Sequence, residues 1–596
     1  MYNAQNPLVV QSDRTLLLEV DNDRAEACRD RLSIFCDLVK SPEHIHTYRM
    51  SPLSLWNARA AGMTADEMVD TLHKFAKYDV PGNVVADLRD YVGRYGRLKL
   101  HREENALVLQ ADDPVLMIEI LHNKTVRKFV LRQRDDRTIE IPLLERGRLK
   151  QVLIKIGLPV EDLAGYTDGD QLTFRLRDFI PSSGALFHVR EYQRLAADAF
   201  WAGGSVRGGS GVLVLPCGAG KTIIGMEIMA RAQMQTLIVA TGITAARQWR
   251  QELLDKTTLA EDQIGEYSGE RKQICPVTIA TYQVLTSRKS KRGAAARAGE
   301  GAMDRTSGST ADSPGSNSAS GESLGEMEGF IHLSLFDKQN WGLILYDEVH
   351  LLPAPVFRVT AEIQARRRLG LTATLVREDG REDDVFSLIG PKKADIPWKE
   401  LEKEGWIATA VCTEVRIPMD NSVRLEYAVA ERREKYRIAA TNPRKDDVVW
   451  ALARKHSDDS VLIIGQYLDQ LQKLADALGA PLITGKTPQR EREQLYAQFR
   501  NREVNRLVVS KVANFSIDLP DANVAIQVSG TFGSRQEEAQ RLGRILRPKS
   551  DGSIAHFYSL VTRDTNDQEF AVHRQLFLTE QGYHYEIVDM DEVLRW

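Results

Sequence analysis

From about residue 210 onward, short apolar runs alternate with longer amphipathic stretches. GVLVLP, TLIVA, PVTIAT and WGLILYDE are apolar at nearly every position. That is the pattern of strands covered on both faces, as in a parallel sheet flanked by helices. A second series, SVLIIG, PLITG, RLVVS, VAIQVS and AHFYSLV, follows later in the chain. Between its strands, YLDQLQKLADALG puts Leu468, Leu471, Ala475 and Leu478 at helical spacing, with Gly479 as the expected stop. Strand–helix alternation in two blocks predicts two tandem α/β parallel-sheet domains, over 183–400 and 401–596.

The pattern upstream is different. Residues 1–96 read mainly helical. In MTADEMVDTLHKFAKY (63–78), Met68, Leu72, Phe75 and Ala76 form an apolar stripe away from Met63, Glu67 and Asp70. Pro81 and Gly82 are expected to stop that helix. Residues 97–182 turn to short β-rich runs (RLKLHRE, ALVLQ, KFVLRQR, IEIP), predicting a small α+β module. Neither region holds a recognisable chemical motif, so docking or regulation is the expectation for both.

Two segments interrupt the second half. Residues 288–328 are rich in Gly, Ala and Ser, and up to residue 326 only Met303 and Leu324 are large and apolar. Too little surface can be buried to offset ordering entropy, so a disordered insertion is expected. Its head, RKSKR, is either solvated or in contact with nucleic acid. Residues 422–442, SVRLEYAVAERREKYRIAATN, predict a helix or helix pair. They form either an exposed face laced with i, i+4 ion pairs or a moving, DNA-touching element.

Composition narrows the class only a little. The 596 residues are 43% hydrophobic and 27% charged, ordinary for globular domains. A net charge of −4 argues against a surface coated throughout by nucleic acid, but leaves a local basic channel open. The five cysteines include no CxxC pair, which excludes a four-cysteine cluster or zinc ribbon and fits a reducing compartment. With no signal-peptide pattern and no run of about 18 apolar residues, no membrane role and a cytoplasmic location are expected.

The strongest chemical signal is GVLVLPCGAGKTIIGMEIMA. An apolar strand ends at Leu215, a glycine-bearing turn follows, and Lys221 and Thr222 open a helix. Gly218 and Gly220, with Ala219 between them, let backbone N–H groups curl around phosphates at the positive end of that helix. Lys221 is suited to the β/γ-phosphates of ATP and Thr222 to Mg²⁺. The strict spacing asks for glycine at 215, where this chain has leucine. In WGLILYDEVHLL, Asp347 and Glu348 stand at a strand end, where parallel sheets bind ligands. Asp347 suits Mg²⁺ through water, and Glu348 suits the orientation and deprotonation of an attacking water. In EEAQRLGRILRPK, Gln540, Arg544 and Arg547 share one helical face before Pro548. Two guanidiniums so placed can act as arginine fingers on a nucleotide held by the other domain.

In that order GAGKT, DEVH, TAT and QRLGRILR resemble superfamily 2 helicases and translocases, whose two RecA-like lobes hold ATP between them. The wider segments LPCGAGKT, DEVHLLPA, LTATLVRED, SKVANFSIDLP and QRLGRILRPK are similar to the XPB family of DNA helicases. SPEHIHTYRMSPLSLWNARAAGM is similar to that family's N-terminal region. The likeness spans nearly the whole chain, apart from 288–328 and the first residues.

The resemblance implies ATP and Mg²⁺ at Lys221, Thr222, Asp347 and Glu348, and adenine contacts from Arg190 and Gln193 in HVREYQ. It implies coupling of hydrolysis to movement through Thr372 and Thr374, with Thr281 as a further DNA or coupling position. Arg377, Glu378 and Asp379 match a RED triplet that helps separate strands. Residues near 422–442 match a thumb-like element, and 97–182 a damage-recognition-like module. The implied activity is 3′→5′ DNA unwinding or duplex translocation in repair or transcription, on forked or duplex DNA. A monomer at the nucleoid is expected, with a companion structure-specific nuclease as in prokaryotic members. Translocation without unwinding, a scaffold with a degenerate ATPase, and an RNA helicase remain as alternatives. The filled catalytic positions weigh against the scaffold.

Overall fold

The computed structural model describes residues 2–40, 44–103, 106–205, 207–216, 218–287, 332–363, 366–373, 382–396, 398–406, 409–510, 522–529, 554–580 and 584–596. The expected insertion at 288–328 lies outside them.

Lobe 1 is a seven-stranded parallel sheet. Its order is Ile264–Tyr267, Val277–Thr281, Thr236–Ala240, Leu343–Asp347, Arg367–Thr372, Ser210–Val214 and Lys392–Asp395. Every residue of Ser210–Val214, Thr236–Ala240 and Val277–Thr281 is buried. Helices on both faces account for those uninterrupted apolar runs. The register pairs Val214 with Thr372 and Asp347 with Leu371. Three strand ends therefore reach the same edge of the sheet side by side.

Lobe 2 repeats the plan, in the order Leu482–Ile483, Arg506–Ser510, Val461–Gly465, Val524–Gln527, Ala555–Thr562, Ala410–Ile417 and His584–Asp589, again all parallel. The helix Leu468–Leu478 buries Leu471, Leu474, Ala475 and Leu478. Leu468 stays exposed, so the buried stripe is turned towards Leu474. Gly479 ends the helix at φ 60°, a left-handed position that favours glycine. The charged segment forms two helices, Asn421–Val429 and Arg432–Ala440. One contiguous set of buried apolar side chains contains residues of both lobes, among them Leu371, Leu401, Cys412 and Leu462.

The N-terminal region carries the helices Ala25–Leu32, Pro52–Ala60, Ala65–Phe75 and Gly82–Arg94. It also holds a four-stranded antiparallel sheet, in the order Leu8–Val10, Thr15–Glu19, Ile45–Arg49 and Asp37–Lys40. These strands are three to five residues long and only alternately buried. They consequently lack the long apolar signature of the lobe strands. Thr64 and Glu67 close a capping box at the start of Ala65–Phe75, with Thr64 N–H donating to the Glu67 carboxylate at 2.7 Å. That helix ends at Phe75, and Pro81 and Gly82 open the next one instead of stopping it. Proline's fixed φ suits a helix entry as well as an exit.

The small module is a five-stranded sheet in the order Arg132–Gln133, Thr138–Ile141, Ala106–Ala111, Leu98–Glu103 and Val160–Asp162, joined by the helix Arg146–Lys155. Inside it Asp162 takes two hydrogen bonds from Arg146 at 2.9 and 2.7 Å and one from Lys150 at 2.9 Å. The helix lies hard against lobe 1. A Cβ on Gly147 would stand 2.4 Å from the Ala361 carbonyl oxygen. Gln151 donates to Asp384 at 2.7 Å, and the backbone N–H of Lys392 donates to Asn57 at 3.0 Å. Beyond Asp162 the chain runs along lobe 1, where Leu172 and Phe174 are buried in its core.

Gly147→Ala tests this close approach. The added methyl meets backbone rather than a movable side chain, so the variant should lose about 1–3 kcal/mol of stability. Thermal and denaturant unfolding beside wild type measure the loss.

Candidate active site

The phosphate loop begins where Ser210–Val214 ends. Leu215 is fully buried and its N–H donates to the Thr372 carbonyl at 2.9 Å. It prolongs the strand, so leucine serves where the strict motif has glycine. The left-handed positions come later, at Gly218 (φ 84°) and Gly220 (φ 79°). A Cβ on Gly220 would come within 2.5 Å of Gln193 Nε2. Lys221 and Thr222 then open the helix Lys221–Ala232 as its first turn.

Gln193 is bound into this loop. Its Nε2 donates to the Ala219 carbonyl at 3.0 Å, and its Oε1 accepts from the Arg190 backbone N–H at 3.0 Å. The Tyr192 hydroxyl donates to the same carbonyl at 2.7 Å. Arg190 lays its guanidinium 4.1 Å over the Trp406 ring, a cation–π contact reaching towards lobe 2. Gln193 thus touches the loop directly, while the Arg190 side chain meets Tyr192 and Trp406. Tyr192 and Trp406 were not singled out by any motif.

Asp347 closes its strand with both ends of the residue held. Trp249 Nε1–H donates to its carboxylate at 3.0 Å, and the Tyr282 hydroxyl donates to its carbonyl at 2.9 Å. Burial, followed by the neighbouring Glu348 charge, raises the Asp347 carboxyl to about 6. Glu348 turns into left-handed backbone at φ 50°, unusual for a residue with a side chain. Its carboxylate forms an ion pair with Lys221 and lies 3.5 Å from His350 Nδ1. Burial pushes this carboxyl up, but the Lys221 charge and then His350 outweigh it and hold it below its usual range. Of the two adjacent acids, Glu348 is the more readily ionised.

The same histidine continues the chain of contacts. His350 Nδ1 lies 2.5 Å from the Thr372 hydroxyl, and both residues are buried. Lys221, Glu348, His350 and Thr372 therefore lie in one run of polar contacts from the phosphate loop to Thr372, with a 3.5 Å ion-pair separation and no hydrogen bond between Glu348 and His350. Thr281 sits at another strand end of lobe 1, where its hydroxyl accepts from the Val284 N–H at 3.4 Å. With Thr241, Gly242, Lys272 and Gln283 it lines an open groove of about 830 Å³. Thr374, Arg377, Glu378, Asp379, Gln540, Arg544 and Arg547 lie outside the described residues.

Among the described residues no group of three or more His, Cys, Asp and Glu side chains could cage a metal. Mg²⁺ does not need one. It keeps most of its waters and takes one or two protein oxygens together with substrate phosphates. A carboxylate at Asp347 and a hydroxyl on Thr222 fit that donor set.

Comparison with known proteins then decides the family. A family model described as ERCC3/RAD25/XPB C-terminal helicase matches residues 401–595. Models described as type III restriction enzyme, res subunit, and helicase conserved C-terminal domain match 186–377 and 8–135. The chain is 54% identical over 592 residues to the DNA 3′-5′ helicase XPB of Mycobacterium tuberculosis, covering 99% of each. The chain belongs to the XPB family. It is also 53% identical to the XPB helicase of Kineococcus radiotolerans, covering 99% of this chain and 98% of that one. The general transcription and DNA repair factor IIH helicase/translocase subunit XPB of Enterocytozoon bieneusi is 32% identical, with coverage of 98% and 92%. The family expected from the ordered motifs is the family found. Membership of that family implies dependence on ATP and Mg²⁺.

Two outcomes test this XPB-family site. Glu348→Gln keeps the size of the side chain but removes the carboxylate expected to act as base, so kcat for ATP should fall by about two to four orders of magnitude. Filter binding of labelled ATP should show the nucleotide still bound. The raised Asp347 carboxyl is largely protonated below pH 6 and ionised above it. Mg²⁺ dependence of nucleotide binding should therefore weaken as pH falls from 8 to 5.5, read by Mg²⁺ titration at both pH values.

Proposed function

We infer that this XPB-family chain hydrolyses ATP to drive 3′→5′ movement on DNA, opening the duplex or translocating along it. The observation that carries the reading is the polar path from Lys221 through Glu348 and His350 to Thr372. It gives the state of the nucleotide site a physical route to the TAT segment.

ATP enters with its phosphates on the N–H groups of the 218–222 turn and its base near Arg190 and Gln193. Arrival of the γ-phosphate draws the Lys221 ammonium from the Glu348 carboxylate. Glu348 is then free to accept a proton from water as that water attacks the γ-phosphorus. The β–γ oxygen bridge breaks, and ADP and phosphate leave. Thr222 and Asp347 would hold Mg²⁺, which would supply charge neutralisation for the phosphates. Release of Glu348 also changes what His350 faces, and His350 passes the change to Thr372. By their sequence match, Arg544 and Arg547 reach the γ-phosphate from lobe 2, with Gln540 beside them, and stabilise charge in the transition state. Arg377, Glu378 and Asp379 act at the strand fork, beside Thr374.

The groove at Thr281 and Gly242 suits a phosphate backbone, because it offers hydroxyls, backbone N–H groups and Lys272 rather than base-reading side chains. Among the described residues no helix is long and apolar enough to cross a membrane. A place in the cytoplasm at the nucleoid, action as a monomer, and service beside a structure-specific nuclease belong to the same reading.

Fork unwinding beside triplex displacement, with RNA duplex controls, tests the activity. ATP-dependent opening of the DNA fork is the expected result. Triplex displacement alone would leave a translocase that does not unwind, and DNA-independent behaviour identical in Glu348→Gln would leave a scaffold. Neutralising Arg377, Glu378 and Asp379 together should spare basal ATPase while lowering fork opening at least tenfold. Equal loss of both would move the triplet into the hydrolytic core.

A further inference from the structure

A second cavity, of about 340 Å³, lies where the N-terminal region, the small module and lobe 1 meet. It shares no lining residue with the ATP site. Its volume falls within the range of small-ligand pockets.

Its charge is uneven. Arg59, Lys150, Arg207 and Lys393 line it, opposed by Glu161 and Asp162. Both carboxylates are already engaged, Asp162 by Arg146 and Lys150 and Glu161 by Arg207 at 3.3 Å. Arg59 and Lys393 make no ion pair among the described residues; the Lys393 ammonium donates to the Arg207 carbonyl at 2.8 Å. Burial, and then the Arg207 charge, lowers the Lys393 ammonium below its ordinary range. Burial lowers Lys150 to about 8 as well; Asp162 opposes that fall, while Arg368 and Arg146 add to it. Four cations thus line the space against two carboxylates, with Arg59 and Arg207 also open to solvent and Glu161 partly offsetting the fall at Lys393.

The other walls suit more than a bare ion. The rings of Tyr95 and Phe386 supply apolar surface, while the Tyr166 ring already faces the Arg146, Arg367 and Arg368 guanidiniums. All three domains contribute, so whatever binds there also holds them to one another.

We propose that this junction cavity binds a small phosphate-bearing anion, of the size of pyrophosphate or a mononucleotide, at a site separate from ATP hydrolysis. The phosphate lies between Arg59, Arg207 and Lys393, and any base rests on the aromatic wall. Bound anion ties the N-terminal region and the module to lobe 1.

Equilibrium dialysis of labelled pyrophosphate and labelled AMP against the full chain tests this, with Lys221→Ala present to disable the ATP loop. One saturable site should remain in that background. Lys393→Glu and, independently, the milder Arg59→Gln should each weaken it at least tenfold. Circular dichroism and thermal unfolding confirm that each variant is folded. AMP bound more tightly than pyrophosphate identifies a mononucleotide site, and pyrophosphate alone identifies a polyphosphate site. No saturable binding in the Lys221→Ala chain, or binding unchanged by both cavity variants, overturns the proposal.

Discussion

A half-buried ammonium lies against one of two adjacent half-buried carboxylates, and the lobe-1 site is built around that imbalance. Stripping a charge of its partner in such a place costs several kcal/mol. Lys221 must therefore stay near Glu348 until a phosphate takes its place. Asp347, which makes no ion pair among the described residues, is supported by the indole N–H of Trp249 and carries a raised affinity for a proton that the Lys221 charge only partly offsets. The parallel sheet makes this possible, because its register brings the ends of Ser210–Val214, Leu343–Asp347 and Arg367–Thr372 to one edge. The left-handed turn at Glu348 then aims the second carboxylate at the loop instead of along the strand. Backbone strain of this kind persists where the surroundings enforce it, and here the ion pair and His350 do so.

A second centre of buried charge organises the upstream half. Asp162, gripped by Arg146 and Lys150, fixes the module helix to the last strand of its sheet. Next to it, Trp56, Ile154 and Phe386 pack together from the N-terminal region, the module and lobe 1. The polar trio supplies direction and the apolar trio supplies burial. Both lie near the cavity that the three domains share.

Legibility in the sequence followed burial. Strands covered on both faces advertise themselves as unbroken apolar runs, so both lobes could be read directly, as could GAGKT and DEVH at their ends. The N-terminal sheet escaped because Thr15–Glu19 and Ile45–Arg49 are short and bury only alternate residues. Trp249 escaped for a different reason. On the amphipathic helix Ile243–Lys256 an aromatic side chain reads as core, and it is core, yet its one polar atom faces Asp347. His350 was visible within DEVH but had no role until its contact with Thr372 was seen. The Leu215 departure from the strict loop spacing is explained by strand extension, which spacing alone cannot reveal.

The contact between Gly147 and the Ala361 carbonyl has a mechanical meaning. When a helix rests on another element backbone to backbone, there is no side-chain cushion to compress or slide. At this point the separation of the module helix from lobe 1 is set by backbone atoms, which a rotamer change cannot adjust. The segment 374–381 leads directly into Glu382–Leu388, the helix that Gln151 holds through Asp384. That helix is thus tied to the module as well as to lobe 1.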